Sequence, residues 1–138
     1  MTPNLSKILY VEDEEYLQKI ARMALERVGN FIVEIYGTGA EALEHLDEFS
    51  PDMILLDVRL PVMNGPEILQ AIRLRPAFEK TPIVFITASV MAEDIERYRG
   101  EDVSDIISKP FDPMTLSEQL QAIWDRHHLD SSGSSEND

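Results

Sequence analysis

Short apolar runs alternate with amphipathic segments along the whole chain. Five runs rich in Ile, Leu and Val occur at residues 7–11, 31–36, 53–57, 83–87 and 105–108. Continuous apolar runs of this length, bounded by turn-forming residues, are typical of strands that are buried on both faces of a parallel sheet. The pattern therefore predicts five strands in one sheet with helices on both of its faces.

The segments between these runs have apolar residues at helical spacing and recognisable ends. The first predicted helix is followed by Gly29, in the position where a helix-terminating glycine is typical. Thr38 and Asn64 are expected to cap the second and third helices, and Asp112 the fifth. The fourth helix, predicted over residues 91–99, has the narrowest apolar face. Strand and helix thus alternate five times, which predicts an α/β, doubly wound parallel sheet.

Composition narrows the classes of function. The chain has 26 acidic and 12 basic residues, a formal net charge of −14, and such a surface repels nucleic-acid phosphates and anionic membranes. The absence of cysteine excludes disulfides, thiolate nucleophiles and Cys-ligated zinc. No stretch approaches the roughly 20 apolar residues of a membrane span. We therefore expect a cytoplasmic protein with no nucleic-acid or membrane partner.

Reactive polar residues follow four of the five predicted strands. Glu12 and Asp13 follow the first, Asp57 ends the third, Thr87 ends the fourth and Lys109 follows the fifth. The carboxyl ends of the strands form the ligand-binding edge of such sheets, so we expect these five side chains to meet there. Clustered carboxylates need a neutralising cation, and oxygen ligands favour a hard ion, which is Mg²⁺ in cells.

The same residues suit phosphoryl transfer. Asp57 can attack phosphorus, while the Lys109 ammonium and the Thr87 hydroxyl interact with the oxygens of the transferred group. Taken alone, each residue has an ordinary structural interpretation, as an acid near a helix N-terminus, a turn residue or a solvated lysine. Their joint position on four strands of one fold favours a site. The adjacent His127 and His128 are expected to be solvated cations at the end of the last helix rather than metal ligands.

Four segments of the chain resemble the receiver domain of response regulators in their order and spacing. They are Val11-Glu12-Asp13, residues 55–65, Phe85-Ile86-Thr87-Ala88-Ser89 and Ser108-Lys109-Pro110-Phe111. The resemblance covers residues 5–127 and implies a flavodoxin-like sheet with the strand order 2-1-3-4-5. The polar residues 130–138 cannot bury apolar surface, and we expect them to form a disordered tail.

The resemblance also implies the function of a single-domain response regulator. Asp57 would accept a phosphoryl group from a phosphohistidine of a sensor histidine kinase or a histidine phosphotransfer protein. Mg²⁺ would be held by Asp13, Asp57 and the backbone carbonyl of Arg59, with Glu12 acting through water. Such a protein is not an enzyme, since it catalyses only its own phosphorylation and dephosphorylation. Phosphorylation would alter partner binding or be relayed onward, and the peptide bond before Pro110 would be cis.

Three positions depart from the commonest receivers. Glu12 stands where Asp is more frequent, and its longer side chain extends the reach to metal or water. Ile106 occupies the place of an aromatic residue that usually rotates inward on phosphorylation, so the sequence predicts a different output mechanism. Asp102 occupies a place where glycine is common, which predicts a rearranged end of the fourth helix. Arg59 lies two residues after the acceptor, and we expect its side chain to adjust the lifetime of the phosphate.

Two other functions are compatible with a nucleophilic aspartate or with the fold. A phosphatase of the haloacid-dehalogenase type would need a second acid two residues after Asp57, where this chain has Arg59, and it would need a cap segment. An inactive receiver-like interaction module would be expected to have lost the acid pair, Thr87 or Lys109, and all are present. Both alternatives are disfavoured.

Overall fold

The computed structural model describes residues 4–89 and 91–136, with side chains described up to residue 129. Five parallel strands form one sheet in the order β2-β1-β3-β4-β5, as predicted. The strands are β1 (Lys7–Val11), β2 (Ile32–Tyr36), β3 (Met53–Asp57), β4 (Ile83–Thr87) and β5 (Asp105–Ser108). Their bounds agree with the apolar runs of the sequence almost residue for residue. The central strands β1, β3 and β4 are buried almost throughout, whereas the edge strands β2 and β5 are partly exposed.

Five helices cover the two faces of the sheet. They are α1 (Glu15–Arg22), α2 (Gly39–Phe49), α3 (Gly65–Arg73), α4 (Ala92–Arg99) and α5 (Leu116–Glu136). Alternate strand residues point to opposite faces and form two apolar clusters, one against α1 and α5 and the other against α2, α3 and α4. Within the described ranges, every helix is too short or too polar to cross a bilayer.

The helix caps follow the sequence at α2 and α3. The Thr38 side chain accepts a hydrogen bond from the Glu41 N–H, and Asn64 and Glu67 form a reciprocal capping box. The Asp112 side chain accepts from the Met114 N–H in the turn that leads into α5. These hydrogen bonds fix the starts of α2, α3 and α5 close to the carboxyl edge of the sheet.

The end of the first helical segment differs from the prediction. α1 continues as a π-helix over Met23–Val28, and Gly29 keeps a right-handed φ of −93°. Asn30 instead takes the left-handed conformation, with a φ of 59°. Gly29 is required for packing, since a Cβ there would lie 2.2 Å from the Ser117 Oγ of α5.

The last helix is longer than the sequence pattern predicts. α5 continues to Glu136, whereas the sequence predicts a disordered tail over residues 130–138. Propagation adds one hydrogen bond for each residue fixed, so a formed helix can extend into polar sequence. Residues 137 and 138 lie outside the described residues. Disorder of this segment in solution stays a prediction, because its sequence offers no apolar side chain to bury.

Candidate functional site

The five candidate residues lie at the carboxyl edge of the sheet. Glu12 and Asp13 follow β1, which pairs with β3, and Asp57 is the last residue of β3. Thr87 ends β4 on the other side of β3, and Lys109 follows β5. The strand order therefore carries all five residues to one edge, with Asp57 on the central strand.

Three carboxylates form the acidic part of this site. Glu12, Asp13 and Asp57 each offer an oxygen, and these oxygens all lie within 4.8 Å of one another. Glu12 and Asp57 are buried, whereas Asp13 is exposed. The group thus has two carboxylates that are shielded from solvent and one that faces it, which gives an incoming ion or ligand a route of entry.

Lys109 joins two of the carboxylates across the edge. Its Nζ lies 2.7 Å from the Oδ2 of Asp57 and 2.8 Å from the Oε1 of Glu12. The peptide bond to Pro110 is cis, as the resemblance implied. One ammonium and three ionised carboxylates leave the cluster with a net charge of −2, and all of its ligand atoms are oxygens. This donor set and charge fit a hard divalent cation.

The pKa values of the two buried acids, Asp57 and Glu12, are shifted in opposite directions. Burial raises the pKa of Asp57 and the charge of Glu12 adds to this, so the pKa stays above 3.8 despite the hydrogen bond from Lys109. Burial also opposes ionisation of Glu12, but hydrogen bonds from Lys109 and the Glu14 N–H outweigh it and lower the pKa. Burial lowers the pKa of Lys109, and the two carboxylates more than reverse this. The raised pKa makes the Asp57 carboxylate a stronger base, and hence a better nucleophile, than an ordinary aspartate.

Tyr10 is a further member of the site that the sequence analysis missed. Its hydroxyl donates to the Oε1 of Glu12 at 3.0 Å, and the Glu14 N–H donates to the Oε2 at 3.0 Å. Burial raises the pKa of Tyr10, and the charge of Glu12 and the hydrogen bond to it add to this, so the phenol remains a donor. Strand alternation was the available signal, because residues i and i+2 share a face.

Thr87 belongs to a separate set of hydrogen bonds. It is buried, and its Oγ1 accepts from the Ser89 N–H at 3.1 Å. The Ser89 hydroxyl donates to the Oδ2 of Asp94 in α4 at 2.5 Å, and Asp94 also pairs with Arg97. Among the described residues, the hydrogen bonds that begin at the Thr87 hydroxyl thus connect it through Ser89 to Asp94 of α4, and not to the acidic cluster of Glu12, Asp13 and Asp57.

The loop after β3 folds back over the acceptor. The Arg59 N–H donates to the Oδ1 of Asp57 at 3.1 Å, while the Arg59 side chain is exposed. Val62 has a φ of 68°, a strained value for a β-branched residue, within a tight turn. A Cβ at Gly65 would lie 2.9 Å from the carbonyl oxygen of Asp57, so only glycine fits this close approach. The role of the Arg59 carbonyl as a metal ligand stays a prediction.

Two of the three departures from the commonest receivers, Ile106 and Asp102, lie on the α4–β5 side of the sheet. Ile106 is half-buried and packs against the second apolar cluster. In that cluster, Tyr98 of α4 is buried with its ring edge-on to Phe85, at a centroid distance of 5.8 Å. The Asp102 carboxylate pairs with the Arg73 Nε at 3.0 Å. An aromatic side chain is therefore present on this face, on α4 instead of β5.

The sequence matches the family described as the response regulator receiver domain over residues 8–121. It is 39% identical over 124 residues to the phosphate regulon transcriptional regulatory protein PhoB of Rhizobium meliloti strain 1021, covering 88% of this chain and 53% of that protein. It is 35% identical over 119 residues to the aerobic respiration control sensor protein ArcB of Escherichia coli K12, covering 86% of this chain and 15% of that protein. The chain thus spans about half of one relative and a small part of the other.

Solved structures show the same fold. The chemotaxis protein CheY4 of Vibrio cholerae superposes with a TM-score of 0.79 at 30% identity, covering 86% of this chain and 98% of that chain. The Mn²⁺-bound form of the response regulator Rcp1 superposes with a TM-score of 0.68 at 26% identity, covering 86% of this chain and 91% of that chain. With the family match over residues 8–121, these similarities agree with the geometry of the site. The chain belongs to the response regulator receiver domain family.

Proposed function

We propose that this chain is a phosphoacceptor of a two-component system and that Asp57 accepts the phosphoryl group. The observation that carries the proposal is the position of Lys109, whose ammonium lies between the buried carboxylates of Asp57 and Glu12. A largely buried lysine held against a carboxylate of raised pKa, next to two more acids, provides a nucleophile and the positive charge that phosphoryl transfer needs.

The transfer changes the charge on Asp57. One carboxylate oxygen forms a bond to phosphorus, while the bond from phosphorus to the leaving atom of the donor breaks and its electron pair leaves with that atom. Asp57 thereby loses its own negative charge and carries the phosphoryl group instead. Lys109 then has a phosphoryl oxygen as its new anionic partner. The Thr87 oxygen accepts from the Ser89 N–H, and its hydroxyl hydrogen can be donated to another phosphoryl oxygen.

Mg²⁺ is the metal that we propose for the acidic cluster, with Asp13, Asp57 and the carbonyl of Arg59 as ligands and Glu12 acting through water. When bound, it supplies charge neutralisation for the oxygens of the transferred group. The all-oxygen donor set supports this choice. The Mn²⁺-bound structure of Rcp1, a similar protein, supports divalent binding in this fold.

We further propose that the receiver unit comprises residues 5–127, that residues 130–138 form a tail, and that the reaction occurs in the cytoplasm. The donor would be the phosphohistidine of a sensor histidine kinase or a histidine phosphotransfer protein. The phosphorylated chain would act as a single-domain regulator that binds a protein target or relays the phosphate. Its formal charge of −14 supports protein partners over nucleic acid or membranes.

Intact-mass measurement after incubation with Mg²⁺ and acetyl phosphate tests the proposal. We expect one added phosphoryl group that is stable in acid and labile in base, and no adduct in EDTA or in Asp57→Asn. Asp125→Asn, which changes an exposed carboxylate of α5, is the matched control and should be phosphorylated normally. An unmodified wild-type chain, or an adduct that persists in Asp57→Asn, would refute the proposal. Turnover of many phosphate esters would support a phosphatase instead.

A further inference from the structure

We infer that Tyr10 is a positioning residue for the phosphoacceptor site and that it acts by orienting the carboxylate of Glu12. This inference rests on the proposed function, because it concerns the same cluster of acids. Tyr10 is completely buried, and its hydroxyl lies 3.0 Å from the Oε1 of Glu12. A buried hydroxyl needs a hydrogen-bond partner, and among the described residues Glu12 is the one that supplies it.

Glu12 receives three hydrogen bonds from three separate directions. Tyr10 and Lys109 donate to its Oε1, and the Glu14 N–H donates to its Oε2. The Glu14 N–H lies on the segment that follows β1, whereas Lys109 comes from the loop after β5. Tyr10 approaches from within the sheet, two residues earlier on the same strand face. Of the three donors, the Tyr10 phenol is the one carried by a completely buried side chain of a central strand.

A glutamate needs such a constraint more than an aspartate does. Its side chain has one more rotatable bond, so an unrestrained carboxylate has more orientations available. The aromatic ring of Tyr10 is packed in the apolar cluster under α1 and α5, which leaves its hydroxyl a fixed position. A fixed donor on Oε1 restricts where the Glu12 carboxylate can lie.

The consequence reaches Lys109 and the metal ligands. Glu12 holds one side of the Lys109 ammonium, whose other partner is the Oδ2 of Asp57. If Glu12 turns, the ammonium follows it or loses one of its two anchors. The ligand oxygens of the cluster, which lie within 4.8 Å of one another, would then be less well ordered for a cation. Removal of a side chain that hydrogen-bonds to a metal-binding residue commonly weakens metal affinity by about 10- to 100-fold.

Tyr10→Phe tests the inference, and Tyr36→Phe is its matched control. Both tyrosines lie on strands of the same sheet, and both donate a phenol hydrogen bond to a glutamate, Tyr36 to Glu34. The Tyr10 hydroxyl donates to a member of the acidic cluster, whereas Tyr36 contacts Glu12 through its backbone carbonyl, which Tyr36→Phe leaves in place. We expect Tyr10→Phe to weaken Mg²⁺ binding at least about tenfold by isothermal titration calorimetry. Tyr36→Phe should bind as the wild type does. Urea unfolding without Mg²⁺ verifies that each variant is folded.

A double-mutant cycle tests whether Tyr10 acts through Glu12. In a Glu12→Ala background, we expect the effect of Tyr10→Phe on Mg²⁺ affinity to disappear, because the acceptor of the phenol is absent. An undiminished effect in that background, or equal affinity of Tyr10→Phe and wild type, would overturn the inference. Phosphorylation by acetyl phosphate is measured in parallel. A wild type that binds Mg²⁺ but takes no phosphoryl group refutes the proposed function, while the affinities still decide the role of Tyr10.

Discussion

Two largely buried cations, Lys109 and Arg73, lie at opposite edges of the sheet. The partners of Lys109 are carboxylates, whereas those of Arg73 are mainly backbone carbonyls. Lys109 lies at the carboxyl edge, and its ammonium contacts the carboxylates of Asp57 and Glu12. Arg73 lies at the amino edge, where it joins the end of α3 to the segments before β4 and β5. Its guanidinium donates to three backbone carbonyls and pairs with one exposed carboxylate; the partners are Phe78, Thr81 and Asp102.

The difference distinguishes a structural contact from a reactive one. The carbonyl partners of Arg73 are neutral and keep the same hydrogen-bonding capacity in every state of the protein. The partners of Lys109 are anions, and the charge on Asp57 changes when it forms a covalent bond. A cation whose partners can change their charge is suited to a chemical step, whereas a cation satisfied by backbone carbonyls stabilises a fold.

Loss of the Lys109 ammonium should have the largest effect on the reaction. We expect Lys109→Gln to slow phosphorylation by acetyl phosphate by about 10²- to 10³-fold, the usual cost of removing one group that stabilises the transition-state charge. The rate is measured by intact mass at saturating Mg²⁺. Lys80→Gln, at an exposed lysine, is the control and should react at the wild-type rate. A Lys109→Gln rate within a few-fold of wild type would contradict the contrast between the two cations.

Arg73→Met should show the opposite pattern. It removes the donors to three carbonyls, and we expect the free energy of unfolding to fall by about 2–3 kcal/mol, with the phosphorylation rate unchanged in the folded protein. Urea unfolding and the mass assay measure the two quantities. Arg75→Met, which breaks an exposed ion pair with Asp47, should cost less than about 1 kcal/mol. Equal losses for the two variants would show that Arg73 is not a structural clamp.

Asp57→Asn should stabilise the fold, in contrast to most core substitutions. The folded-state pKa of Asp57 is raised, so the native state binds its proton more tightly, and ionisation at neutral pH opposes folding. We therefore expect a higher free energy of unfolding than that of the wild type at pH 7. The gain should shrink as the pH falls through the raised pKa towards 3.8, because the wild-type penalty disappears on protonation. Urea unfolding over this pH range tests it, and a destabilised variant would contradict the electrostatic account.

Arg59→Ala should have the smallest effect, because the Arg59 side chain is exposed and lies outside the hydrogen-bonded cluster. We expect dephosphorylation to become several-fold faster, since the long side chain no longer obstructs water near the acyl phosphate. The decay of the phosphorylated protein after removal of donor is followed by mass. Identical decay of the variant and the wild type would show that the Arg59 side chain does not affect the lifetime of the phosphate.

The strands and the site could be predicted because their signals are local. Each strand is centred on a short run of apolar residues, and Asp57 and Thr87 end their strands as the sequence indicates. In a parallel sheet the carboxyl ends of all strands lie at one edge, so residues that follow the strands are brought together there. Lys109 was found for the same reason, since it follows the last strand directly.

Features that depend on packing between distant segments were not predictable. Gly29 is required by the close approach of Ser117, and the left-handed residue is Asn30, one position later than predicted. The pairing of Asp102 with Arg73 joins residues that are far apart in sequence. Tyr10 lies within the first apolar run, and the sequence gives no sign of the contact between its hydroxyl and the Glu12 carboxylate.

The central claim is that Asp57 itself carries the phosphoryl group, and reductive trapping tests it most directly. The chain is phosphorylated with acetyl phosphate and Mg²⁺, treated with borohydride, which converts an aspartyl phosphate to homoserine, and mapped by peptide mass spectrometry. The account predicts homoserine at position 57 and at no other acidic position. Homoserine at Asp13 or elsewhere, or none in a chain that has gained a phosphoryl group, would contradict it.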